Sequence, residues 1–249
     1  MSGHSKWSTI KHKKGKADAQ RSKVFTKLGR EISVAVKQGG GSDPNVNGRL
    51  RDVIAKCKAV NMPNDNIDRS IKKAAGEDSG VIYEEMVYEG YGLGGVAVIA
   101  EALSDNRNRT AGEVRHIFDK MGGSLGTTGC VSYLFDKKGV IAIEKGPKVD
   151  EEALFMAALE AGAEDINGDD DEMYEITTTP EAFADVSNAL LDAGYSFLVG
   201  EVQMVPQTTV EVPPENSEKV MKMLDWLEDH DDINNVYHNA VFDEDDEEE

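Results

Sequence analysis

Apolar residues recur at helical spacing through the first third of the chain. A first helix is predicted over residues 16–37, where four apolar side chains share one face: Phe25, Leu28, Ile32 and Val36. A second helix is predicted after the Asp43-Pro44 pair, which has the pattern of an N-cap followed by proline at the first helical position. A third is predicted from Pro63. Three amphipathic helices can enclose one small core, so residues 1–80 are predicted to form the first domain.

The hydrophobic pattern changes after Gly80, where short apolar runs alternate with helical periods. Strands are predicted at residues 86–88, 96–103, 131–135, 140–144, 173–178, 197–205, 208–212 and 233–242. Helices are predicted between them, at residues 110–121, 150–162, 214–229 and directly after Thr179-Pro180. Thr110 and Glu113 have the spacing of a capping box at the start of one of these helices. This alternation indicates helices that pack on one face of mixed or antiparallel sheets.

We therefore predict an α+β protein. An N-terminal three-helix domain is followed by two ferredoxin-like α/β modules, and the third domain is inserted in the second. This parse gives strands 96–103, 131–135, 208–212 and 233–242 the β-α-β-β-α-β order of a ferredoxin-like fold. The predicted boundaries are 1–80, 81–135 plus 207–242, 136–206 for the insertion, and 243–249 for a disordered acidic tail. The alternative is two sequential modules followed by a loose C-terminal segment.

The net charge of −20 conceals a strong asymmetry along the chain. Residues 1–75 carry 17 Lys and Arg against six Asp and Glu, a net charge of +11, and the remainder carries −31. Such an asymmetry suggests a polyanion as the partner of the basic part. The chain has two cysteines and no apolar run approaching the ~20 residues of a membrane helix. We therefore expect no disulfide framework, no secretory signal, no membrane segment and a cytoplasmic location.

The clearest chemical signal is a basic N-terminal arm that continues into a basic stripe on the first helix. The candidate nucleic-acid contacts of the arm are Lys6, Trp7, Lys11, His12, Lys13, Lys14 and Lys16. The stripe lies opposite the apolar face, is predicted to stay exposed, and adds Lys23, Lys27 and Arg30 to the candidate contacts. Ammonium groups attract phosphates, and an indole stacks on an unpaired base. Two alternatives stay open: Trp7 anchors the arm to the helices, and the lysines form an ordinary solvated surface.

A second candidate site is the segment Ser104–Thr110, where two arginines precede a predicted helix. A helix N-terminus presents free N–H groups and suits phosphate, so Arg107 and Arg109 are candidate contacts, with Arg115 in the next turn. The alternative is that Asp105 and the Asn side chains fix a tight strand-to-helix turn, while the arginines pair with acidic residues.

Other chemistry finds little support in the sequence. The segment Gly90–Gly95 matches G-x-G-x-x-G, but a strand follows it, whereas a dinucleotide site needs a helix there, so a hairpin turn is predicted. The five histidines are scattered and no Cys-x-x-Cys occurs, so no metal site is predicted. No nucleophile motif is present. We expect no cofactor and no enzymatic activity.

Several motifs together resemble one family. They are Gly3-His4-Ser5-Lys6-Trp7, Phe25-Thr26-Lys27, Gly39-Gly40-Gly41, Tyr88–Gly92, Ser104–Thr110 with Glu113–His116, Gly122–Gly126 and Tyr237-His238-Asn239. From residue 1 to about residue 242 the chain is similar to the YebC/PmpR family, whose mitochondrial relatives are translational activators of cytochrome c oxidase. The resemblance implies three domains and no enzymatic activity. It implies a probable transcriptional regulator, with DNA binding described for some members and ribosome association for others.

The sequence thus predicts a non-enzymatic, nucleic-acid-binding regulator of gene expression. The first hypothesis is a DNA-binding transcriptional regulator. The second is a ribosome-associated translation factor that contacts ribosomal or transfer RNA and relieves stalled translation, for example at proline runs. A third is a protein adaptor that uses the acidic modules. A helix-turn-helix is not evident, because residues 38–47 are too long for its tight turn. We expect a monomer.

Overall fold

The computed structural model describes residues 17–76, 81–147, 149–170 and 172–242. The chain divides into two compact units, one of which is residues 133–209. The other contains the residues before and after that segment. Within the described residues, no helix combines the length and apolar character needed to cross a membrane.

Three helices form the N-terminal region: α1 (Ala17–Gln38), α2 (Gly48–Ala59) and α3 (Asn64–Ala75). Their shared core contains the predicted apolar faces, with Leu28, Ile32 and Leu50 buried among its members. The third helix begins directly after Pro63, as predicted.

The predicted start of the second helix is wrong by a few residues. Asn47, rather than Asp43, is the N-cap, and its side-chain oxygen accepts from Leu50 N at 3.0 Å. The Asn47 amide group also donates to Ala35 O at 2.8 Å and to Gly41 O at 2.7 Å. An Asp side chain has no donor for these two carbonyls, so only an amide side chain can cap α2 and also bind the end of α1 and the loop after it.

The next module begins with β1 (Glu84–Tyr91), β2 (Ala97–Ser104), α4 (Arg107–Lys120) and β3 (Ser124–Leu125). β1 and β2 form an antiparallel hairpin. Gly94 and Gly95 in its turn have φ angles of 73° and 81°, which glycine adopts without strain. The interpretation of Gly90–Gly95 as a hairpin turn is therefore confirmed.

The separate unit, residues 133–209, contains β4 (Phe135–Glu144), α5 (Glu151–Ala161), β5 (Asp165–Asn167), β6 (Met173–Thr178), α6 (Phe183–Asp192) and β7 (Val199–Pro206). This is a β-α-β-β-α-β succession. Its antiparallel sheet has the order β5-β6-β4-β7, and both helices bury apolar side chains against it.

The chain then returns to the unit that contains α1–α4, with β8 (Val210–Glu211), α7 (Pro214–Asp229), β9 (Ile233–His238) and β10 (Ala240–Val241). The sheet of this unit has the order β3-β1-β2-β9 and is antiparallel throughout, while β8 and β10 form a separate parallel pair. Both α4 and α7 bury apolar residues in its core, including Phe118 and Leu227. The α+β class predicted from the sequence is confirmed.

The strand pairing of this sheet differs from the expectation. Residues 132–134 form a 3-10 turn rather than a strand, and the chain enters β4 only at Phe135. The segment at 208–212 pairs with β10, outside the main sheet. A tight turn joins β1 to β2, so the two strands pair as a hairpin. β1 therefore lies beside β2, in the position where the ferredoxin-like order would have placed the strand at 208–212.

Candidate nucleic-acid interface

The predicted contacts of the N-terminal arm lie outside the described residues. These are Lys6, Trp7, Lys11, His12, Lys13, Lys14 and Lys16. The site within the described part of the chain is therefore built from α1, the start of α4 and the cations of α2 and α3.

The basic stripe of α1 contacts residues 228–232, Glu-Asp-His-Asp-Asp, which we call the acidic turn. Lys23 Nζ donates to Asp229 O at 3.2 Å and lies 3.7 Å from the Asp229 carboxylate. Lys27 Nζ donates to Glu228 O at 2.6 Å. Arg30 donates to Asp231 O at 2.8 Å and to Asp232 Oδ1 at 2.7 Å. The stripe was expected to stay exposed, but Lys27 and Arg30 are half-buried, because this turn covers them.

The location of the acidic turn explains its attraction for cations. It begins with the last two residues of α7. A helix C-terminus leaves carbonyl groups unpaired and carries partial negative charge. Lys23 and Lys27 therefore both donate to backbone carbonyls, and Lys23 also faces the Asp229 carboxylate. Sequence analysis missed this contact, although the four acids in five residues were visible, because α1 and the turn are about 200 residues apart in the chain.

Asp232 is the centre of the polar network in the acidic turn. Its buried carboxylate accepts from Arg30, from Ser104 Oγ at 2.9 Å, from Arg109 at 2.8 Å and from Thr110 Oγ1 at 2.8 Å. Burial would raise the pKa of the Asp232 carboxyl, but hydrogen bonds from Arg109, Thr110 and Ser104 outweigh it and hold that pKa well below its usual range.

The segment Ser104–Thr110 is a strand-to-helix turn. Asn106 is the N-cap, and its side chain accepts from Arg109 N at 3.1 Å, so α4 begins at Arg107. The predicted capping box is therefore wrong: Thr110 is buried within the helix, and Glu113 contacts His230 Nε2 at 2.8 Å.

The arginines of this region have different surroundings. Arg109 bonds Asp105 at 3.1 Å as well as Asp232, which is the arrangement of the turn-fixing alternative. Arg107 and Arg115 are exposed and form no ion pair with the described part of the chain.

Sequence reasoning missed a further group of cations on α2 and α3. They are exposed, form no ion pair with any described residue, and comprise Arg51, Lys58, Arg69, Lys72 and Lys73. Lys58 and Lys72 flank a groove of about 490 Å³ whose apolar lining includes Ile54, Ile67 and Ile71. The available signal was the charge on the face of α3 opposite Ile67 and Ile71.

A second groove, of about 760 Å³, runs between α1, α4 and the acidic turn, and its lining includes Lys23, Arg30, Arg109 and His116. Beside it, Glu113, His230 and Asp232 bring potential metal-ligand atoms within 4.8 Å of one another. Protein contacts account for this arrangement, because His230 Nδ1 accepts from Asp232 N at 3.1 Å and the Asp232 oxygens accept four donors.

Two family models match the chain: the TACO1/YebC protein N-terminal domain over residues 5–77, and the TACO1/YebC second and third domain over residues 83–240. A probable transcriptional regulatory protein of Acetivibrio thermocellus is 63% identical, with 96% of this chain and 98% of its own length covered. A probable transcriptional regulatory protein of Ruminiclostridium cellulolyticum is 60% identical to this chain, over the full length of both proteins. The crystal structure of a conserved hypothetical protein from Aquifex aeolicus has a TM-score of 0.82 and 47% identity, covering 94% of this chain and 96% of that one. The chain therefore belongs to the TACO1/YebC family.

Proposed function

We propose that this protein is a non-enzymatic regulator of gene expression that binds DNA through its helical region and acts in transcription. The observation that carries the proposal is the group of exposed cations on α2 and α3 that have no ion-pair partner among the described residues, within residues 1–75 of net charge +11. The relatives' name, probable transcriptional regulatory protein, supports transcription as the process.

The connection between α2 and α3 also supports DNA as the target. Residues 60–63 join these helices, and four residues is the length of a helix-turn-helix connection. Asn61 within it has a φ of 57°, the left-handed conformation that Asn tolerates in tight turns. Both helices pack chiefly on α1, which leaves the outer face of α3, with Arg69, Lys72 and Lys73, open to a ligand.

The salt dependence of DNA binding tests this proposal. Each lysine that neutralises a phosphate releases counterions and contributes ~0.9 to the slope of log affinity against log salt. Replacing Lys58, Lys72 and Lys73 together by Ala should therefore flatten the slope by about 2–3. Fluorescence anisotropy of a labelled duplex, titrated at several salt concentrations, measures it.

The matched control replaces three exposed lysines elsewhere, Lys137, Lys219 and Lys222, by Ala, with the same change in net charge. This control variant should retain the parent slope. Equal slopes in all three proteins would remove α2 and α3 from the DNA contact.

The second candidate function is a ribosome-associated translation factor. The observation that favours it is Trp7 among the lysines of the arm, since an aromatic residue beside cations suits unpaired RNA bases. Sucrose-gradient sedimentation of a cell lysate at moderate salt separates the two candidates. Comigration with ribosomes supports translation, and cofractionation with the nucleoid alone supports transcription.

A further inference from the structure

The contact between the basic stripe and the acidic turn has the chemistry of a protein–phosphate contact. Three cations, Lys23, Lys27 and Arg30, bind a short run of oxygens supplied by two carboxylates and three carbonyls. Lysine and arginine make the same charge-assisted bonds to phosphate oxygens. We infer that the stripe is an exchange surface, which the acidic turn occupies in the free protein and nucleic-acid phosphates occupy in the complex. This inference rests on the proposed function.

The contacts that hold the stripe against the acidic turn are polar. Besides the stripe, Glu31 accepts from Asn234 Nδ2 at 2.7 Å and Lys37 donates to Val81 O at 2.8 Å. Salt screens the exposed Lys23–Asp229 ion pair, so phosphates can compete for this contact.

The acidic turn keeps its own support when the three cations of the stripe release it. Asp232 loses Arg30 but retains Ser104, Arg109 and Thr110, all of which belong to the strand and helix beneath it. The Asp232 backbone N–H still donates to His230 Nδ1. Exchange at the stripe therefore exposes the three cations without unfolding the turn.

A route for the incoming phosphates already exists. The groove between α1, α4 and the acidic turn leaves Lys23, Arg30 and Arg109 accessible from solvent. A nucleic-acid backbone in this groove reaches Lys23 first, because its side chain is 47% exposed against 20% for Arg30. Stepwise replacement of carboxylate by phosphate then proceeds from Lys23 towards Arg30.

Zero-length cross-linking of the full-length protein tests the exchange. A carbodiimide condenses Lys23 with Asp229 to an amide, because their charged groups are 3.7 Å apart and both side chains are about half exposed. Lys138 and Glu164, also 3.7 Å apart but in the other unit, provide the matched control pair. Both amides are quantified by peptide mass spectrometry, with and without an oligonucleotide duplex lacking terminal phosphates, or an RNA hairpin.

The Lys23–Asp229 amide should decrease in proportion to the fraction of protein bound, while the Lys138–Glu164 amide stays constant. Nucleic-acid binding, measured by fluorescence anisotropy in the same buffer, distinguishes failure of the exchange from failure of the proposed function. Binding with an undiminished Lys23–Asp229 amide overturns the exchange and leaves the proposed function intact. Absence of salt-sensitive binding to either nucleic acid overturns both.

A pair of variants gives an independent measurement. Asp229→Asn removes one competing carboxylate and should tighten nucleic-acid binding by about 1.5- to 5-fold, the range of an exposed ion pair. Asp225→Asn changes an exposed acid on the same helix and controls for the change in net charge. An equal gain in the two variants would assign the effect to net charge and contradict exchange at the stripe.

Discussion

Replacing Asp232 by Ala should lower the free energy of unfolding of its unit by about 2–4 kcal/mol. Loss of one partner from a buried, charged network leaves the remaining groups without compensation. Here the fully buried Ser104 loses its acceptor, the fully buried Thr110 hydroxyl keeps only Asn106 O at 3.2 Å, and Arg30 loses a carboxylate at 2.7 Å. The partial exposure of Arg109 places the loss below the upper end known for buried pairs.

Urea denaturation followed by the fluorescence of Trp226 measures this loss, because Trp226 lies on α7 just before the acidic turn. Asp231→Ala is the matched control, since its side chain is exposed and only its backbone carbonyl contacts Arg30. That variant should stay within about 0.5 kcal/mol of the parent. A comparable loss in both variants would show that the network around Asp232 is not what holds the turn.

The pH dependence of the same variants follows from the lowered pKa of Asp232. A carboxyl whose pKa is lower in the folded than in the unfolded chain stabilises the fold above its unfolded value, about 4, and loses that effect as the pH falls further. The difference in stability between the parent and Asp232→Ala should thus be complete at neutral pH and shrink below about pH 4. Equilibrium denaturation at several pH values measures it.

The features that the sequence predicted correctly depend on short-range order. Apolar spacing in α1 placed Ile32 in the core, Pro63 marked the start of α3, and the glycines of 90–95 marked a hairpin turn. Each of these signals is complete within one element or one turn, so no tertiary information is needed to interpret it.

The features that the sequence did not predict depend on partners that are distant in the chain. Counting charges on α1 gave a basic stripe, but its acidic counterpart lies about 200 residues later, and no periodicity relates the two. Thr110 has the spacing of a cap, yet Asn106 takes that role and frees the Thr110 hydroxyl for Asp232. Asn47 shows the same limit, because its amide also donates to the carbonyls of Ala35 and Gly41, which precede the helix that it caps.

Replacing Glu89 by Ala should cost about 2–4 kcal/mol and loosen the segment that leads into β4. The buried Glu89 carboxylate accepts from the backbone N–H groups of Gly129, Val131 and Ser132, at 2.8, 2.9 and 2.8 Å. Burial raises the pKa of Glu89, but these backbone hydrogen bonds outweigh it and give a lowered pKa, so the ionised form stabilises the fold above about pH 4.5. Without the carboxylate, three donors lose their acceptor at once.

The expected readout is local as well as global. Within residues 126–132, amide hydrogen exchange at Gly129, Val131 and Ser132 should accelerate in Glu89→Ala, because these three amides lose the acceptor that protects them, while exchange in α1–α3 stays unchanged. Glu84→Ala, on the same strand but exposed, should leave both regions at the parent rates. Unaltered exchange at residues 126–132 in Glu89→Ala would show that the turn is held by its own backbone instead.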